Sequence, residues 1–155
     1  MMDAKLLSGP PQVEFVDGKR LLSRDLVIDL GKQFWDLELW AAFTRNDDGP
    51  DWSISRSYQG TTIVRVRAGF CYDGASIPGW AQSFIMGAKE NYEIAGCVHD
   101  LLYRLQAPRG ESDSVFHWVA RSGTKCVSAT RGFFGWATLR LAGWAAYRAN
   151  GKLKE

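Results

Sequence analysis

Within the run Cys97-Val98-His99-Asp100-Leu101-Leu102-Tyr103, a histidine and an aspartate stand side by side in an otherwise apolar, helix-forming stretch. Burying an ionisable group costs several kcal/mol unless it is paired, hydrogen-bonded or metal-bound. A fold that contains this helix must therefore supply partners for both groups. Asp73 and Asp113 are the carboxylates the sequence offers for that purpose.

A chain of 155 residues with 46% apolar and 23% charged content has material for one core, so a single domain over 1–155 is expected. No run approaches the roughly 18 apolar residues of a membrane span. The opening MMDAKLLSGPPQ lacks the hydrophobic segment of a signal peptide, and synthesis in the cytoplasm is expected. Cys71, Cys97 and Cys126 are odd in number and show no CxxC spacing, so they read as buried thiols rather than as a disulfide or thiolate-zinc framework. The net charge of +2 conceals an asymmetry. Residues 1–120 carry 12 basic and 16 acidic groups, whereas residues 121–155 carry seven basic groups against Glu155. A basic, aromatic tail suits either a solvated helix face or contact with a bilayer or an acidic protein. Nucleic acid is not the expected partner.

About residues 12–67 read as mainly β and 78–149 as mainly α. Gln12–Val16 precedes Asp17-Gly18, a hairpin signal, and Leu26–Leu30 stops at Gly31. Residues 34–40 alternate charged and apolar side chains with the period of a half-buried strand. Ser53–Tyr58 and Thr61–Val66 are expected to pair across Gln59-Gly60. About four helices follow: one from Pro78 to about Met86, one capped by Asn91 and running to about Leu105, one from about Glu111 to Arg121, and one from about Ser128 to Ala149. The class is α+β, with N-terminal antiparallel strands followed by helices. The short Pro108-Gly110 connection makes the second and third helices an antiparallel pair carrying the His-Asp motif.

On the second helix His99 and Tyr103 share a face, while Asp100 is rotated by about 100°. Asp113, on the third helix, is placed to accept a hydrogen bond from His99, fixing its tautomer and leaving the other nitrogen to draw a proton from water. Asp100 suits a different task. Calcium takes six to eight oxygens, and Asp100 with Asp73 and the carbonyls of the glycine-punctuated loop 69–79 could supply several of them. Other templates fit poorly. The absence of any histidine before His99 excludes an HD-type phosphohydrolase, and no P-loop or Gly-x-Ser-x-Gly sequence is present. A transition-metal site from His99, His117 and one carboxylate matches no HExxH-like spacing.

The loop Gly69–Pro78, the segment Val98–Arg104, and Arg109 with Asp113 and Phe116 together resemble a family of tailed phages and prophages catalogued as a domain of unknown function. Its members share Gly-Phe-x-x-Asp-x-x-Ser-x-Pro, then His-Asp-x-x-Tyr, then a helix with Asp-x-x-Phe. That resemblance implies a phage or prophage origin without implying an activity. More distantly, His99-Asp100-x-x-Tyr103 followed by Asp113 resembles the paired-helix core of phospholipase A2. The likeness implies that His99 activates water, Asp100 holds calcium, Asp113 orients His99 and Tyr103 supports the network. The calcium loop and disulfides of that family are not matched here.

The stretch 132–147 is apolar apart from Thr138 and Arg140, and Trp136, Trp144 and Tyr147 suit either a buried helix or a lipid interface. Two functions are therefore expected. One is a phage-encoded hydrolase of lipid or envelope esters, with possible membrane-surface contact through 131–148. The alternative is a non-catalytic virion or tail-assembly component, or a host-factor binder, whose partners are phage structural proteins or a host protein and whose polar network fixes the packing. Either would be made in the bacterial host cytoplasm, and the second would enter the phage particle.

Overall fold

The computed structural model describes residues 4–9, 11–17, 19–44, 52–72, 89–122, 136–137, 140 and 147–148. The chain forms two compact units, Met1–Asp73 and Gly74–Glu155. The class is α+β, as expected, with antiparallel sheets in the first unit and a helix pair in the second.

The first unit contains β1 (Lys5–Leu6), β2 (Val13–Val16), β3 (Lys19–Leu22), β4 (Leu26–Asp29), α1 (Trp35–Thr44), β5 (Trp52–Arg56), β6 (Thr62–Val66) and β7 (Cys71–Tyr72). One sheet has the order β1-β4-β6-β5 and the other β2-β3-β7. Register follows from period-two burial. Leu26 faces Val66 and Ile28 faces Val64 on the buried side, while Val27 pairs with Arg65 on the other. The Asp17-Gly18 signal yields the β2–β3 hairpin, with Val16 opposite Lys19 and Asp17 at φ 52. The β5–β6 pair also forms, but it closes earlier than expected, at Arg56 opposite Thr62. Ser57 accounts for that: its backbone and hydroxyl bind the Thr61 backbone, and Thr61 in turn donates to Asp29 at 2.9 Å.

Residues 34–40 are a correction. Instead of a strand, a 3-10 turn over Lys32–Phe34 leads into α1. The buried side chains are Phe34, Leu37 and Ala41, spaced for one face of a helix. Asp36 and Glu38 lie in the first turn, where their charge favours the helix N-terminus. The alternation over 35–39 was too short to outweigh the unbroken run Leu39–Phe43 that follows it. Gly31, at φ 82, ends β4 and turns the chain.

In the second unit α2 spans Lys89–Arg104 and α3 spans Arg109–Ala120. Asn91, read as a cap, lies inside α2, which begins two residues earlier. The four-residue connection returns α3 alongside α2, so that Tyr103 meets Arg109 and His99 meets Asp113 and Phe116. Three α-helices stand among the described residues: α2 and α3 answer to two of the about four expected, and α1 lies where a strand was expected. The one expected at Pro78–Met86 lies outside them. Of the one expected at Ser128–Ala149, the described residues Trp136, Ala137, Arg140, Tyr147 and Arg148 are helical.

Candidate functional site

From Ile94 to Tyr103 every residue of α2 is buried except Asp100. A helix stretch that is apolar nearly all round is buried, and Asp100, with 22% of its side chain exposed, is its one partly exposed position. His99 is 3% exposed. On α3, Ser112, Asp113, Val115, Phe116, Val119 and Ala120 form the buried stripe, and this carries Asp113, at 0% exposure, into the core opposite His99.

The two elements meet in a polar cluster. His99 Nε2 lies 2.8 Å from Asp113 Oδ1, and the Tyr103 hydroxyl donates to the same oxygen at 2.6 Å. Asp113 Oδ2 receives the Arg140 guanidinium at 3.1 Å and faces Arg109 Nε at 3.7 Å. The imidazole is held between rings, with Tyr103 at 4.0 Å and Phe116 edge-on at 5.6 Å between centroids. The three residues expected to form the chemical centre, His99, Asp113 and Tyr103, are thus in direct contact.

Ionisation follows from these neighbours. Burial alone would raise the Asp113 pKa, but hydrogen bonds and charge from His99, Tyr103 and Arg140 outweigh it and hold the carboxyl below its ordinary value. Burial likewise opposes a charge on His99, yet Asp100 and Asp113 overcome it and raise the imidazole pKa. Burial, together with the hydrogen bond to the Asp113 carboxylate, pushes the Tyr103 phenol up, so Tyr103 acts as a donor rather than an anion. An ionised carboxylate only accepts hydrogen bonds, so neutral His99 keeps its proton on Nε2 and carries its lone pair on Nδ1. Nδ1 lies 4.0 Å from Asp100 Oδ1, too far for a direct hydrogen bond and a suitable separation for a bridging water.

The metal expectations fare differently. Asp73 lies outside the described residues. Asp100 offers one oxygen ligand of the kind calcium takes, but among the described residues no group of three or more His, Cys, Asp and Glu side chains could hold an ion. His117, whose pKa is lowered by burial and by Arg121, does not join such a group with His99. Cys97 is buried and its thiol pKa pushed well up, so it is inert, in keeping with its reading as core.

Sequence reasoning missed Arg140, Tyr147 and Gln106 as members of this cluster. Tyr147 packs edge-on against Tyr103 at 5.2 Å, and Gln106 donates to the carbonyls of both Tyr103 and Tyr147. A signal was present: Arg140 is a cation inside an apolar stretch, the same anomaly that singled out His99 and Asp100.

A family model described as "Protein of unknown function (DUF1353)" matches residues 51–139, more than half of the chain, including all of α2 and α3. No curated protein and no solved structure matches it. The helix pair that carries the His99–Asp113 contact therefore lies inside the matched segment, and the chain belongs to the DUF1353 family of proteins of unknown function.

Proposed function

We propose that this protein is a phage- or prophage-encoded hydrolase of lipid or envelope esters, built on a phospholipase A2-like dyad with His99 as general base. The observation that carries the reading is the asymmetry of the imidazole. Nε2 is tied to fully buried Asp113, while Nδ1 lies 4.0 Å from Asp100, whose side chain is partly exposed. A water at Nδ1 loses a proton to His99 as its oxygen attacks the ester carbonyl carbon. Asp113 stabilises the imidazolium that results. The proton then passes from Nδ1 to the departing alkoxide, leaving a carboxylic acid and an alcohol.

Asp100 is the described residue that calcium would take as a ligand, and the ion's contribution would be to polarise the ester carbonyl. Contact with the lipid surface through residues 131–148 belongs to the same proposal. Half-buried Trp136 is a described aromatic residue of that stretch whose amphipathic ring suits a lipid interface. No helix among the described residues is long and apolar enough to cross a membrane.

The low exposure of His99 favours a second reading, a virion or tail-assembly component, or a host-factor binder, whose network serves packing alone. Free fatty acid released from phospholipid vesicles separates the two. The hydrolase reading expects release above the protein-free rate, faster with calcium than with chelator. Vesicles left intact in both conditions would remove it in favour of the packing role.

A further inference from the structure

Asp113 is a buried carboxylate whose two oxygens are used in different ways. Oδ1 is occupied by His99 and by the Tyr103 hydroxyl. For Oδ2, among the described residues, Arg140 supplies the hydrogen bond, because Arg109 Nε at 3.7 Å is beyond hydrogen-bonding distance. A carboxylate bonded at only one oxygen can still swing about its Cβ–Cγ bond. Bonded at both, it presents Oδ1 to His99 in one orientation.

Arg140 is itself placed by two ties. Arg109 Nη2 donates to the Arg140 carbonyl. Tyr147, seven residues on in the sequence, is held by its ring contact with Tyr103 and by the amide of Gln106. Gln106 adopts φ 59, a conformation that costs a non-glycine residue energy, and its side chain bridges the end of α2 to Tyr147. Arg140 and Tyr147 both lie beyond residue 139, where the family match ends.

We infer that Arg140, delivered by the C-terminal segment, is a positioning residue that locks the Asp113 carboxylate in the orientation that accepts the proton of His99 Nε2. It bonds Oδ2, the carboxylate oxygen that His99 does not use, and so acts on the imidazole through Asp113. Its role in the dyad rests on the hydrolase reading only for the kinetic consequence. The geometric consequence is independent of it.

The test reads the His99 Nε2 proton directly by NMR, in wild type, Arg140→Met and Arg140→Lys, with backbone spectra to confirm the fold. Arg140 uses one nitrogen on Asp113, so lysine can replace it, whereas methionine keeps the aliphatic packing and removes the donor. Solvent exchange of that proton is expected to quicken by about tenfold in Arg140→Met and to return toward the wild-type rate in Arg140→Lys. On an ester substrate kcat falls by a similar factor in the methionine variant, with KM unchanged. Gln106→Gly, which removes the tie to Tyr147 but suits the backbone, gives a smaller shift in the same direction and serves if Arg140→Met does not fold. Unchanged exchange in Arg140→Met, equal acceleration in the methionine and lysine variants, or no shift in Gln106→Gly where the methionine variant is unfolded, would overturn the inference. A wild type without esterase activity removes the hydrolase reading and leaves the exchange measurement standing.

Discussion

Asp113→Ala is expected to destabilise the protein by about 3 kcal/mol, read as a lowered urea midpoint. The substitution strips three groups of their acceptor at once: His99 Nε2, the Tyr103 hydroxyl and the Arg140 guanidinium. His99 and Tyr103 are buried, and each donor left without an acceptor there costs about 1–3 kcal/mol. Arg140, 39% exposed, can rotate into solvent, which places the loss at the lower end of the range for breaking a buried ion pair. Asp113→Asn keeps the shape and separates stability from chemistry. If the amide oxygen faces His99, the amide nitrogen opposes Arg140, donor against donor. If it turns round, the nitrogen drives His99 to the tautomer with its proton on Nδ1, and the base is lost. On the hydrolase reading its rate falls by about a thousandfold or more, the scale on which a general-base histidine depends on its orienting carboxylate. An alanine variant as stable as wild type would refute the buried network.

The second large effect is on pH dependence. His99 has a raised pKa in the folded protein, so the fold binds its proton more tightly than the unfolded chain does. That stabilisation is fully present below the ordinary value of 6.5 and is lost as pH rises through the folded value. Asp113, with its pKa lowered, works the other way. Its contribution is present above 3.8 and is lost as pH falls through the folded value. The dyad thus favours the fold most between 3.8 and 6.5. His117 opposes His99, because its lowered pKa removes stability as pH falls below 6.5. Comparison with His99→Gln isolates the dyad: the difference in unfolding free energy between wild type and this variant should shrink as pH rises from about 6 to about 9. Each unit by which the folded value exceeds the ordinary one corresponds to about 1.4 kcal/mol of that change. A difference independent of pH would mean that His99 gains nothing from Asp100 and Asp113.

Much of this was legible in the sequence because burial and helical geometry impose strict demands. A histidine inside Cys97–Tyr103 required an acceptor, four-residue spacing placed Tyr103 beside it, and a short connection brought Asp113 within reach. Strands with clean alternation, such as Thr62–Val66, were equally readable. The sequence misled at Phe34–Trp40, where a few alternating residues imitate a strand but Phe34, Leu37 and Ala41 obey the helical period. β3 was implied by the hairpin signal but given no bounds, because Lys19-Arg20-Leu21-Leu22 shows no alternation, and its place is set by pairing with β2 and β7. Arg140, Tyr147 and Gln106 were missed for a different reason. Their roles depend on contacts over 27 to 41 residues of separation, which no local spacing encodes.

The most direct measurement of the central claim is the rate of phospholipid ester hydrolysis by wild type and by His99→Gln, at matched concentration and confirmed fold. Glutamine can still donate to Asp113, so the cluster keeps a partner for the carboxylate while the proton acceptor is gone. If His99 is the base that Asp113 orients, wild type hydrolyses the ester and the variant loses at least about a hundredfold of that rate. Equal rates in the two proteins would contradict a catalytic dyad and leave the His99–Asp113 contact as packing.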